Sequence, residues 1–81
     1  MKRVSGTNDA DRLLPKIGDV IRCARKERGL SQEALADASG IDRSHLGRIE
    51  RGERNLTVLN LKKIANALES QVWQLLKLSD I

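Results

Sequence analysis

The first regular pattern along the chain is a set of aliphatic residues spaced as on one face of an α-helix. They recur at i, i+3, i+4 and i+7, and they are Ile17, Val20, Ile21 and Ala24. Pro15 suits the first turn of a helix, where its missing N–H is no loss. The pattern predicts a helix from about Pro15 to Arg28. The polar stretch before it predicts a flexible tail over residues 1–14, although residues 9–14 could instead extend the helix with a kink.

Two further apolar patterns follow near the other end of the chain. Thr57 is a typical N-cap residue, and the stripe that follows it consists of Val58, Leu61, Ile64, Ala65 and Leu68. After a short break, a fifth helix is predicted from about Val72 to Leu78, with Leu75 and Leu76 turned to the core. No run of alternating β-branched or aromatic residues occurs, so the sequence predicts no strand.

Between these patterns, residues 31–52 read as two short helices joined by a tight turn. Ser31 and Asp42 are candidate N-caps, because short oxygen-bearing side chains accept hydrogen bonds from the unpaired N–H groups of a first turn. Gly40 and Gly52 stand just past the predicted helix ends, where a left-handed residue is needed. This arrangement is typical of a helix-turn-helix motif.

The second of these short helices has two chemically distinct sides at about 100° per residue. Leu46 and Ile49 fall on one side and predict a buried face. The other side has no acidic residue and is formed by Ser44, Arg48 and Arg51, with Arg43 and Gly47 at its edge. Such a face suits the DNA major groove, whereas the simpler interpretation is a solvated basic surface.

Residues 29–36 (GLSQEALA) and 40–52 (GIDRSHLGRIERG) resemble the lambda-repressor-like family of helix-turn-helix regulators, the phage repressor and Cro or XRE type. Residues 54–57 (RNLT) add a resemblance to the small controller proteins of restriction-modification systems. The similarity extends from about Ile17 to Leu76. It implies an all-α fold, which together with the apolar patterns predicts a compact bundle of five helices.

The resemblance also assigns candidate DNA contacts. The positions that match base-reading residues are Arg43, Ser44 and Arg48, and arginine can donate two hydrogen bonds to guanine. The candidate phosphate contacts are Gln32, His45, Arg51, Arg54 and Asn55. His45 lies on the flank of its helix, which also fits simple exposure, and Asn55 could instead cap its loop.

Two further positions have structural alternatives. Arg25 and Glu50 match a partly buried ion pair of the family, and otherwise they are two solvated surface charges. Gly47 lies inside a helix, where glycine costs about 1 kcal/mol relative to alanine. It either permits close approach of helix two or of DNA, or it has no special role.

Composition narrows the class of protein. The 81 residues suffice for one domain, which we place at residues 15–81, and Trp73 is the sole aromatic residue, so the core must be aliphatic. A net charge of +4 favours a polyanionic partner such as double-stranded DNA. One cysteine and one histidine provide no disulfide or metal site. We expect no cofactor, no small-molecule ligand, no enzymatic activity and no membrane segment, and a location in the cytoplasm on the nucleoid.

The remaining apolar residues predict a homodimer. Leu59 and Trp73 lie outside the core stripes, and tryptophan is favoured as an interface anchor. The candidate interface consists of Leu59, Val72, Trp73, Leu78 and Ile81; alternatively, Trp73 folds back over its own core.

From the resemblance and the predicted dimer, we expect a sequence-specific transcriptional regulator on a palindromic operator, with RNA polymerase as a further candidate partner. The alternative is an antitoxin that binds a toxin protein and regulates its own operon.

Overall fold

The computed structural model describes residues 9–80, and most of them lie in five α-helices. In chain order these are α1 (Leu13–Glu27), α2 (Gln32–Ser39), α3 (Arg43–Glu50), α4 (Val58–Ala67) and α5 (Val72–Leu78). No strand occurs within residues 9–80, and the predicted all-α bundle is confirmed. Residues 1–8, which were predicted to be a flexible tail, and Ile81, which was predicted to lie in the dimer interface, are outside the described residues.

Helix α1 begins at Leu13, two residues before its predicted start. The carboxylate of Asp9 accepts hydrogen bonds from the backbone N–H groups of Leu13 and Leu14, both at 2.8 Å. These bonds satisfy N–H groups that the first turn of a helix leaves unpaired. Pro15 is therefore the third helical residue, still within the first turn, where no backbone donor is required of it. Leu13 and Leu14 belong to the helix rather than to the predicted tail.

The core is aliphatic, as predicted. Its largest fully buried side chains are Ile21, Leu35, Leu46, Ile64, Leu68 and Leu75. Helix α1 packs on α3 and α5, α2 packs on α3 and α4, and α4 packs on α5. Each helix thus contributes to one shared core, and the short helices α2 and α3 are held between α1 and α4.

A close junction between α1 and the end of α3 depends on two glycines. A Cβ atom at Gly18 would lie 2.5 Å from the carbonyl oxygens of both Ile49 and Glu50. Gly52 has φ +73°, and its Cβ would lie 2.6 Å from the backbone nitrogen of Pro15. Only glycine permits this approach, so Gly18 and Gly52 fix the position of α3 on α1. The sequence pattern did not single out Gly18.

The prediction that Val58 joins the buried face of α4 is wrong. Val58 is 79% exposed, whereas Leu61, one turn later on the same face, is 7% exposed. Val58 is the first residue of the helix, directly after the cap Thr57, whose hydroxyl accepts a hydrogen bond from the Asn60 N–H at 3.0 Å. Helical spacing gives the direction of a side chain, but it does not show where the neighbouring helices end.

Candidate nucleic-acid interface

Capping residues define both helices of the motif. The Ser31 hydroxyl accepts a hydrogen bond from the Ala34 N–H at 3.0 Å, and the Asp42 carboxylate accepts one from the His45 N–H at 3.3 Å. Gly40, between the helices, has φ +71°, a conformation that glycine adopts without a steric cost. The predicted caps and the turn are confirmed, and together they set the entry of the chain into α3.

Arg25 and Glu50 form a bidentate ion pair beneath α3. The Nε and Nη2 atoms of Arg25 donate to the two carboxylate oxygens of Glu50 at 2.8 and 3.0 Å. The third nitrogen, Nη1, donates to the Leu30 carbonyl at 2.9 Å. The two side chains are only 10% and 2% exposed. The pair therefore ties α1 to the last residue of α3 and to the loop before α2.

Gln32 extends this network to the start of α2. Its Nε2 atom donates to Glu50 at 3.0 Å, so part of the amide predicted to contact phosphate is used inside the protein. An amide nitrogen carries two hydrogens, and the second is not used in this bond. Gln32 is half-buried and links the ion pair to the outer surface of the motif.

A surface depression of about 450 Å³ lies over α3 and the start of α2. Its lining consists of Gln32, Asp42, Arg43, Ser44, Gly47, Arg48 and Arg51. The side chains of Arg43, Ser44 and Arg48 are exposed, and none of them bonds to another side chain among residues 9–80. The structure thus brings the three predicted base-reading residues together with two of the predicted phosphate contacts.

Gly47 forms part of the floor of this depression. A Cβ atom there would lie 3.3 Å from Nη1 of Arg51 and 3.6 Å from Oε1 of Gln32. Both atoms are at the ends of flexible side chains, so an alanine fits after a small shift. The packing of α2 on α3 therefore does not require glycine at this position.

Sequence reasoning missed a carboxylate beside the arginine face. Glu53 accepts hydrogen bonds from Nε and Nη2 of Arg51 at 2.8 and 3.4 Å, in a pair whose side chains are 57% and 52% exposed. The hydrogen bond from Arg51 lowers the pKa of Glu53 below its ordinary value of 4.5, and the charge of Arg48 lowers it further. The same hydrogen bond raises the pKa of Arg51. The helical spacing of residues in α3 could not predict this pair, because Glu53 follows the turn at Gly52.

The other predicted phosphate contacts lie outside the depression. Arg54 and Asn55 are exposed in the loop between α3 and α4. His45 is half-buried, and its Nε2 atom is inaccessible and has no hydrogen-bond partner in the described part of the chain. None of these three residues lines the depression.

Among residues 9–80, four large apolar side chains outside the core are exposed. The exposed fractions of Leu59, Trp73 and Leu78 are 66%, 61% and 69%, and Val58 adds to them. Val72 is half-buried and packs against the core. The indole of Trp73 does not fold back over its own core, which leaves a large aromatic surface in contact with water.

Within residues 9–80, no group of three His, Cys, Asp or Glu side chains is placed to hold a metal ion. No helix in this range is long and apolar enough to cross a bilayer. Cys23 is a free, exposed thiol on α1.

Comparison with known proteins agrees with this geometry. A helix-turn-helix family model matches residues 21–72. The control protein C.SmaI of Serratia marcescens is 42% identical over 60 residues, covering 74% of this chain and 71% of that protein. The regulator SlrR of Bacillus subtilis is 43% identical over 60 residues, but these are only 40% of its length.

A solved structure extends the likeness to the fold. The crystal structure of the restriction-modification controller protein C.AhdI from Aeromonas hydrophila superimposes with a TM-score of 0.75 at 47% identity, covering 76% of this chain and 94% of that one. These relatives are control proteins or transcriptional regulators. The chain belongs to the helix-turn-helix family of DNA-binding transcriptional regulators, of the XRE type that includes the restriction-modification controller proteins.

Proposed function

We propose that the protein is a sequence-specific transcriptional regulator that binds a palindromic operator as a homodimer. The observation that carries this proposal is the depression over α3, where Arg43, Ser44 and Arg48 are exposed and bonded to no other described side chain. Similarity to C.SmaI and C.AhdI supports the controller type of regulator over the antitoxin.

In this proposal α3 enters the major groove with its exposed face against the base edges. Arg43, at the first turn, and Arg48, one turn later, each place two donors against a guanine, and Ser44 meets a donor or an acceptor. Arg51 and Gln32, at the rim, contact phosphates and set the register of the helix on the duplex.

The homodimer is proposed from the exposed apolar side chains. Trp73, Leu59 and Leu78 are each more than half exposed, and a copy of the same surface would cover them around a twofold axis near α5. A twofold dimer on successive major grooves places its two recognition helices about 34 Å apart. Palindromic half-sites at that spacing are the expected consequence.

Selection of binding sites from random duplex DNA tests the base-reading assignment. Arg43→Ala should weaken binding to the best site by about 1–3 kcal/mol and relax the preference at one base position in each half-site. Arg22→Ala, which removes an exposed arginine from α1, is the control and should leave the preference unchanged. If Arg43→Ala changed neither the affinity nor the preference, α3 would not be the reader.

The fluorescence of Trp73, the sole tryptophan, tests the dimer. Dilution should shift its emission to longer wavelength while the sedimentation mass falls, because separation of the copies exposes the indole to water. Trp73→Ala should shift the equilibrium towards the monomer. An emission that does not depend on concentration, with Trp73→Ala still dimeric, would place the axis elsewhere.

The genes beside the coding sequence test the controller type. A neighbouring methyltransferase and restriction endonuclease are expected for a controller protein. A neighbouring small toxin gene, with co-purification of its product, would instead support the antitoxin.

A further inference from the structure

The arginine-rich surface of the motif is accompanied by two carboxylates that have different tasks. Asp42 lines the depression, but its side chain caps α3 through the His45 N–H. The side chain of Glu53 caps no helix and instead bonds to Arg51, while its backbone N–H donates to the Arg48 carbonyl at the end of α3. The charge of Arg48 also lowers the pKa of Glu53. Glu53 is therefore the carboxylate whose side-chain bonds go to a proposed DNA-binding arginine, Arg51.

We propose that Glu53 competes with DNA phosphate for Arg51 and thereby lowers the affinity of the protein for duplex DNA of any sequence. The inference rests on the proposed function, because it concerns how the same surface meets the phosphate backbone. It assigns Glu53 a role in setting affinity, with no contact to a base.

The geometry supports competition because carboxylate and phosphate use the same donors. Glu53 takes hydrogen bonds from Nε and Nη2 of Arg51, the two nitrogens that form one side of the guanidinium fork. A phosphate bound in the bidentate manner needs two parallel donors of this kind. The third nitrogen, Nη1, lies over Gly47 on the floor of the depression. Arg51 thus cannot offer its Nε side to phosphate while the pair with Glu53 is closed.

The exposure of the pair makes the competition reversible. Exposed ion pairs are weak and are screened by salt, so a phosphate held by several other contacts can open this one. If the pair stays closed on DNA, Glu53 still cancels the charge that Arg51 would bring to the backbone. In either case the duplex gains less from Arg51 than it would from an unpaired arginine.

The consequence concerns the balance between specific and general binding. Phosphate contacts supply most sequence-independent affinity, and the exposed arginines on the depression supply base reading. A carboxylate that weakens the contact of Arg51 with phosphate reduces the sequence-independent affinity for DNA. It leaves base reading by Arg43 unaffected, because Arg43 has no described contact with Glu53. Glu53 thereby limits the time that the protein spends on DNA outside its operator.

Titration of a labelled duplex of mixed sequence, followed by fluorescence anisotropy between 50 and 200 mM salt, tests the proposal. Glu53→Gln should bind about two- to fivefold more tightly than the wild type at the lower salt concentration. The slope of log K against log salt should steepen by about one, as expected for one more neutralised phosphate. The thermal midpoint of the variant, measured in the same buffer, shows that the fold is retained.

Two variants distinguish competition for Arg51 from a general change of charge. Asp19→Asn removes one negative charge, as Glu53→Gln does, and releases Arg22 from an exposed pair of 2.7 Å on α1, outside the depression. It should give a much smaller gain in affinity for the duplex. In an Arg51→Ala background, Glu53→Gln should give no gain.

The remaining outcomes contradict either this inference alone or the proposed function as well. Equal affinity and slope for Glu53→Gln and the wild type would overturn this inference alone. A gain that persists in the Arg51→Ala background, or that Asp19→Asn matches, would overturn it as well. If the wild type bound no duplex even at 50 mM salt, the proposed function would fall and this inference with it.

Discussion

Two arginine–glutamate pairs lie at opposite sides of the end of α3, with similar geometry and different surroundings. In both, Nε of the arginine donates to a carboxylate oxygen at 2.8 Å. The Arg25–Glu50 pair is buried and also bonds to Gln32 and the Leu30 carbonyl. The Arg51–Glu53 pair is more than half exposed. The same bonds therefore hold the fold on one side and leave an exchangeable contact on the other, because water is excluded from only one of them.

The largest expected effect is on the buried pair. Glu50→Ala should lower the free energy of unfolding by about 3–5 kcal/mol, because it leaves the Arg25 guanidinium buried without a counter-charge. Urea unfolding followed by circular dichroism measures the loss. Glu53→Ala is the matched control and should leave the urea midpoint nearly unchanged.

A double-mutant cycle sharpens this comparison. Arg25→Ala should also destabilise the fold, and the double variant should lose much less than the sum of the two single losses. Additive losses would show that the two side chains act independently and that the buried pair is not a unit.

The next effect concerns two helical glycines that lie against α3 or within it, Gly18 of α1 and Gly47 of α3. Gly18→Ala should cost about 3 kcal/mol, because its Cβ would lie 2.5 Å from backbone oxygens that cannot move without shifting α3. Gly47→Ala, under the side chains of Arg51 and Gln32, meets only flexible side-chain ends and should be neutral or up to about 1 kcal/mol stabilising, since alanine favours the helix. Thermal unfolding of both variants is the measurement. Equal midpoints would mean that the α1–α3 junction can relax.

These two sides of α3 were not equally accessible to sequence reasoning. The caps Ser31 and Asp42 and the apolar stripes depend on local spacing, and the structure has them where the pattern predicts them, with Val58 as the exception. Residues 25 and 50 could be paired only through the resemblance to a family, because no local rule connects positions so far apart. Gly18 was missed, since only the packed structure shows how close α3 approaches.

The bonds of Asp9 at the start of α1 and the pairing of Glu53 with Arg51 were missed for another reason. Asp9 lies four residues before Leu13 and reaches its N–H across a left-handed residue, Arg12, so the bond depends on a turn that the pattern of apolar residues does not record. Glu53 reaches Arg51 across the turn at Gly52, where helical spacing no longer applies. Both cases show that side chains just outside a helix can change its end or its charged face.

The smallest expected effect is the titration of Glu53 itself, which measures the exposed pair directly. The hydrogen bond from Arg51 keeps the pKa of Glu53 below 4.5, so the pair contributes to stability at neutral pH. That contribution is lost as the pH falls from about 4.5 through the pKa of the folded protein, because the protonated carboxyl no longer holds the guanidinium. NMR titration of the Glu53 side-chain carbonyl should show its pKa rising towards 4.5 in Arg51→Ala. Arg48→Ala should raise it less, because Arg48 acts only through its charge, and Arg22→Ala should leave it unchanged. A pKa of Glu53 that is the same with and without Arg51 would show that the pair is open in solution and that phosphate meets no competitor there.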